Sequence, residues 1–153
     1  MAKESYAFSI GGVGGNAANY EPFYAQPNTL LNGSTTGGGL HTTSVNSCES
    51  CGMYNLLKLS TQLFLHDDDC KYMDYYERTL YNGIANGIVK SGSGQNTYPN
   101  PLYNGARNSY SGATTGSTCC GGTARESHTK YADSIYFTST DNNALYVLSH
   151  IHL

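Results

Sequence analysis

The sequence predicts a mainly α fold that passes into β structure near its end, set among long Gly/Ser/Tyr-rich loops. Three observations carry this expectation. Apolar residues recur at helical spacing in two stretches after residue 48. Two β-type runs flank an Asp-Asn-Asn turn. Glycine and tyrosine are abundant, at 18 and 14 of 153 residues. On this reading residues 1–47 form an irregular Gly-rich segment, 48–131 a helical one, and 132–153 a β-hairpin.

Within 1–47 only Tyr6–Ile10 has the character of a strand. Gly11–Gly15, Asn32-Gly33-Ser34 and Gly37–Gly39 are turn chemistry, because glycine reaches backbone angles that other residues avoid. The first of these runs has a phosphate-loop flavour, but it lacks the P-loop lysine and opens no helix, so nucleotide binding is set aside. Met53, Leu56, Leu57, Leu63 and Phe64 then fall at helical spacing and predict an amphipathic helix over about 50–65. His66-Asp67-Asp68-Asp69 breaks it. These acids suit the cap and first turn of the next helix better than they suit a cation site. Tyr72, Met73, Tyr76, Leu80 and Ile84 continue that helix, with Gly83 and Gly87 as stops, and the two helices form an αα-hairpin.

Residues 91–118 return to loop composition, and a loop of this length inside a domain is usually functional or packed on something larger. Thr123 and Glu126 have capping-box spacing and predict a short helix through about Tyr131. Ser134–Phe137 and Ala144–Ile151, on either side of Asp141-Asn142-Asn143, predict a terminal hairpin.

Composition excludes several roles. The net charge is −3, so there is no basic field to hold nucleic acid or an anionic membrane. No apolar run approaches the ~20 residues of a membrane span. The first residues lack the apolar core of a secretory signal, and the chain carries no other indication of its compartment.

The five cysteines, Cys48, Cys51, Cys70, Cys119 and Cys120, are an odd number, which argues against a closed disulfide framework. Adjacent cysteines also bond to one another rarely, for reasons of geometry. Glu49, Cys51, Cys119 and Cys120 offer a carboxylate and three thiolates, a donor set that suits zinc. Buried free cysteines beside a solvated Glu49 remain the alternative on spacing alone, since the fold must bring together groups ~70 residues apart. His150 and His152 share one side of a predicted strand, a spacing that is more often incidental than metal-binding.

Three long motifs carry a family resemblance. They are Cys48-Glu49-Ser50-Cys51 with Met53–Leu59; Tyr72–Arg78 with Leu80-Tyr81-Asn82; and Cys119–Thr123 with Glu126–Tyr131 and Asp133–Phe137. In order and spacing they resemble the β-L-arabinofuranosidase families of glycoside hydrolases, family 127 and its relatives. The resemblance runs through 48–82 and 118–148; before residue 48 it is weak, chiefly at Gly11-Gly12 and at Glu21 within Tyr20–Phe23. It implies a fragment of an (α/α)6-barrel catalytic domain followed by the start of a β-sandwich. It also implies a zinc held by Glu49, Cys51, Cys119 and Cys120, with Cys119 as nucleophile and Glu21 as general acid/base, although Glu21 stands further from Glu49 than the family pattern has. Cys48 and Cys70 match no ligand position. His128 is a candidate for sugar contact, ligand support or packing, while Glu126 fits a cap.

The implied substrate is an arabinose-containing glycan. Such a barrel takes roughly twelve helices and this chain offers about three, so other copies or other chains are expected to complete the fold. The sequence is compatible with a piece of a hydrolase, with a non-catalytic descendant that keeps zinc as a staple, and with a structural or assembly protein.

Overall fold

The computed structural model describes residues 7–13, 47–88, 95–97, 99–101 and 119–149. Glu21, His150 and His152 lie outside the described residues, as do most of both Gly-rich stretches. Strand β1 (Ser47–Glu49) runs directly into helix α1 (Ser50–Asp67), and helix α2 (Lys71–Thr79) follows after Asp68-Asp69-Cys70. The chain then widens into a π turn (Leu80–Ile84) and tightens into a 3-10 turn (Ala85–Gly87). Strand β2 (Pro99–Pro101) pairs antiparallel with β1. Helix α3 is Cys119–Ser127, and strands β3 (Tyr136–Thr138) and β4 (Leu145–Val147) form an antiparallel hairpin. The described residues are thus mostly helical, with small antiparallel sheets.

Helix α1 extends slightly beyond the predicted span and buries Cys51, Met53, Tyr54, Leu57, Ser60 and Phe64. The buried stripe is rotated relative to the expected one. Leu63 lies on the rim, 37% exposed, and Ser60 takes the inner position, its hydroxyl donating to Leu56 O at 2.9 Å. That local bond lets a polar side chain sit in an apolar interface without an unmet hydrogen bond.

The acids mark the break between the helices, but the N-cap of α2 is Cys70, with no side-chain capping bond, and the acid in its first turn is Asp74. Asp68 adopts a left-handed conformation (φ 54°) and its N–H closes on Phe64 O at 2.8 Å, a geometry that aspartate tolerates better than most residues. Asp69 Oδ1 then accepts from the Lys71 N–H at 2.9 Å. Lys71 Nζ pairs with Asp69 at 2.5 Å, and the Tyr72 and Tyr146 hydroxyls donate to Asp67 and Asp68. The acids are therefore engaged within the protein.

Three expectations need correction. The strand expected over Tyr6–Ile10 is not formed by its described part, residues 7–10: Ala7 and Val13 form an isolated bridge across a tight turn, with Phe8 N–H donating to Gly12 O at 2.8 Å. The turn is forced by packing. A Cβ on Gly11 (φ 88°) would lie 1.7 Å from Thr79 Oγ1, and one on Gly12 would lie 2.3 Å from Cys48 Sγ. The second helix does not run uniformly to Gly87. It changes to a π turn where Gly83 presses against α1, so closely that a Cβ there would lie 2.4 Å from Met53 Sδ. Finally, Thr123 and Glu126 do not form a capping box, because α3 starts at Cys119. Thr123 lies inside the helix with its hydroxyl donating back to Cys119 O at 3.0 Å, and Glu126 points across to α1.

The hairpin appears where expected, with shorter strands. Asn142 (φ 58°) turns the chain, and Phe137 is paired with Tyr146. Both rings meet Phe64 edge-on, at 5.2 and 5.7 Å between centroids, which seats the hairpin on the end of α1. Pro99–Pro101, expected as loop, is a strand. Proline is tolerated there because, among the described residues, β2 is paired on one side alone.

Two glycine substitutions should have opposite signs. Gly12→Ala drives a methyl into Cys48 and should cost about 1–3 kcal/mol. Gly52→Ala, in α1 with nothing within 4 Å of the new Cβ, should stabilise by about 0.5–1 kcal/mol. Urea midpoints at constant m-value check both.

Candidate metal and catalytic centre

The centre is built at the point where two helices begin. β1 alternates its side chains, so Cys48 points into the core, fully buried, while Glu49 points the other way. The chain then turns helical, and Cys51, in the first turn of α1, returns to the side of Glu49. Glu49 occupies the N-cap position of α1 but its carboxylate makes no capping bond. Instead, Glu49 Oε2 accepts from the Cys51 thiol at 3.5 Å. Cys119 and Cys120 are the first two residues of α3, and Cys51 Sγ lies 3.5 Å from Cys119 Sγ. One donor atom from each of Glu49, Cys51, Cys119 and Cys120 lies within 4.8 Å of all the others. This group can hold a metal ion. Cys51 and Cys120 are buried, Glu49 is half-buried, and Cys119 alone of the four is exposed.

The electrostatics match an anionic cluster. The N-terminal end of each helix carries partial positive charge from unpaired N–H groups, and both ends meet here. The Cys120 thiol is drawn down to about 6, chiefly by its hydrogen bond with Cys51 and against the effect of burial. Cys51 is held far above the ordinary thiol range, first by that same bond and then by burial. The two displacements are opposite because one shared hydrogen bond favours the charged form of Cys120 and the protonated form of Cys51. Cys48 stands apart: burial pushes it up to about 12, and its sulfur faces Asn100 O at 4.0 Å. The first cysteine of the C-x-x-C is thus a core thiol.

The sequence profile of the β-L-arabinofuranosidase GH127 catalytic domain matches residues 2–133. The chain belongs to this family. The crystal structure of a GH127 β-L-arabinofuranosidase from Geobacillus stearothermophilus T6 superposes on this GH127 chain with a TM-score of 0.64 at 23% identity, over 98% of the chain. The chain spans 23% of the length of that relative. No curated protein matches it.

The remaining candidates in this GH127 segment occupy other positions. His128 is half-buried, with Nε2 against Asn96 Oδ1 and Nδ1 against the Tyr131 hydroxyl. Glu126 accepts from the Tyr54 hydroxyl at 3.0 Å and pairs with Lys58 at 3.7 Å, tying α3 to α1 beyond the cluster. Tyr54, Lys58 and Glu126 border a groove of about 480 Å³, together with Tyr76, Lys130 and Asp133. Its charges are paired locally, Lys130 with Asp133 at 2.9 Å. Asn96, Thr97 and Asn100 were missed from the sequence, since isolated polar residues in a loop carry no periodic signal.

His128 gives a pH test. Burial holds its imidazole below the ordinary 6.5, so the unfolded chain takes up the proton first as pH falls. Its contribution to stability is complete above about 6.5 and is lost on descending toward the folded value. With chelator present, the urea midpoint should therefore fall more steeply between about pH 7.5 and 5.5 in wild type than in His128→Gln. Equal slopes would contradict the burial of this ring.

Proposed function

We propose that this chain supplies the zinc-thiolate centre of a retaining glycoside hydrolase acting on β-L-arabinofuranosides in arabinose-containing glycans. The observation that carries this reading is the convergence of Glu49, Cys51, Cys119 and Cys120, with Cys119 the most exposed of the four. Zinc takes tetrahedral thiolate and carboxylate donors, and bonds of about 2.3 Å to sulfur place neighbouring sulfurs roughly 3.8 Å apart. The 3.5 Å separation of Cys51 and Cys119 is close to that spacing. Zinc when bound would keep the thiols deprotonated and offset the charge of the donor set.

The chain's own groups then divide the work. The Cys119 sulfur attacks the anomeric carbon, forming an S–C bond as the bond to the leaving oxygen breaks. Glu21, the family-matched acid, gives its proton to that oxygen. As carboxylate it next takes a proton from water, whose oxygen displaces the sulfur. Two inversions at one carbon leave the configuration retained. The family resemblance supplies the role of Glu21.

A complete sugar pocket would require more of an (α/α)6 barrel, with β-sandwich material after it, supplied by the rest of a longer chain, by other chains or by other copies. Exposed apolar residues support this. Leu59 and Leu63 lie on α1, and Tyr136, Leu145 and Val147 form the outer side of the hairpin. Uncovered apolar patches of this kind commonly mark interfaces.

Purified protein should contain about one zinc per chain by elemental analysis, and Cys120→Ser should lose it. In the assembled enzyme, Cys119→Ser should abolish cleavage of an aryl β-L-arabinofuranoside. Glu21→Gln should slow substrates with poor leaving groups far more than activated ones. Equal slowing of both would assign the acid role to a different carboxylate, and wild-type protein free of zinc would remove the reading itself.

A further inference from the structure

Donor atoms that meet at one place do not by themselves fix the angle between the helices that carry them. Cys119 and Cys120 open α3, and Cys51 lies in the first turn of α1. Metal–ligand bonds tolerate departures of only about 0.2 Å from their ordinary lengths. A pivot of about 10° around a point seven residues along a helix, roughly 10 Å away, moves its first residue by about 2 Å. Convergence of the sulfurs therefore needs a second fixed point between α1 and α3. Glu126, seven residues after Cys119 on the same helix, is that point.

Two groups reach Glu126 from α1. The hydroxyl of Tyr54, three residues after Cys51, donates to Glu126 Oε1 at 3.0 Å. Lys58 Nζ stands 3.7 Å from Glu126 Oε2 and 4.7 Å from the centre of the Tyr54 ring. The two are unequal in weight. Both side chains of the ion pair are about half exposed, at 47% and 49%, and pairs so open to water contribute little. Tyr54 is 5% exposed and belongs to the same core cluster as Leu57 and Tyr76. A hydroxyl that donates to a carboxylate makes the stronger kind of hydrogen bond. Its phenol end is anchored by the core, and its carboxylate end travels with α3.

We propose that Tyr54 and Glu126 are positioning residues of the metal centre: their hydrogen bond sets α3 against α1 and so holds Cys51 near the Cys119-Cys120 pair. The inference rests on the metal reading given above. Without this bond the helices remain, but the sulfurs spend less of their time converged. Apparent affinity for an ion falls in proportion to the share of molecules that is competent to bind it. Glu126 thus acts on the centre from a distance, through the helix that carries two of its donors.

The zinc affinity of the full chain, measured by competition with a chromogenic chelator, tests this. Tyr54→Phe and Glu126→Ala should each weaken zinc binding about tenfold with far-UV circular dichroism unchanged. The double variant should lose little more than either single one, since both remove the same bond. Glu126→Gln, which keeps an acceptor for the Tyr54 hydroxyl, should recover most of the loss, and Lys58→Met should stay within about twofold of wild type. Wild-type affinity in both Tyr54→Phe and Glu126→Ala would overturn the proposal, and so would fully additive losses. Wild-type protein that binds no zinc would instead overturn the metal reading. A metal-free arm then decides the role of the bond. With chelator present, oxidised glutathione takes two electrons and two protons from the thiols and leaves a disulfide between Cys51 and the Cys119-Cys120 pair. The mass-mapped equilibrium for that disulfide should be about tenfold less favourable in Tyr54→Phe than in wild type, and an unchanged equilibrium would overturn the role.

Discussion

Everything about the candidate centre depends on the meeting of two helix N-termini. Helix α1 starts at Ser50 and α3 at Cys119, and the packing of one against the other brings residues 68 positions apart to 3.5 Å. Polar groups tie this contact: the Tyr54 hydroxyl donates to Glu126, and Lys58 pairs with the same carboxylate while lying over the Tyr54 ring at 4.7 Å. Unpaired N–H groups at a helix start favour negative charge. Two such ends converging on a carboxylate and three thiols form an electrostatic seat for an anionic donor set before any ion arrives.

A second constraint sets the direction of each donor. Strand β1 is held by β2 through the pairs Ser47–Pro101, Cys48–Asn100 and Glu49–Pro99, and that pairing divides two neighbouring side chains between opposite faces. Cys48 is sealed in the core under Gly12, and Glu49 faces the cluster. The glycine turn at 7–13 belongs to the same arrangement. Its backbone approaches Cys48 and Thr79 at distances that no side chain could share, and Gly11 O accepts from the Tyr75 hydroxyl at 2.5 Å. Close packing of glycine backbone thus serves the centre from behind, without any part in its chemistry.

Charge explains why such a cluster favours a cation. Packed thiols and a carboxylate cannot all ionise together, and the opposite displacements of Cys51 and Cys120 express that conflict. A divalent ion resolves it by replacing shared protons. Of the four donors, Cys119 is exposed, Glu49 half-buried, and Cys51 and Cys120 buried.

Much of this was legible in the sequence. Helical periodicity placed α1 and α2, the Asp triplet marked the break between them, and Asp141-Asn142-Asn143 marked the hairpin. The family resemblance singled out Glu49, Cys51, Cys119 and Cys120. These are local signals or long motifs, and they survive without knowledge of the fold. The start of α3, the π turn, the β1–β2 pair and the Asn96–His128 contact were not legible. Thr123 and Glu126 have the spacing of a capping box, yet Glu126 is drawn to Tyr54 across the helix interface, a contact between residues 72 apart. By itself the sequence determined which residues were fit to form helices and to bind a soft cation. Tertiary structure decided which of them meet and which way each points, because meeting and direction depend on packing between segments distant in the chain, to which local propensity and spacing carry no information.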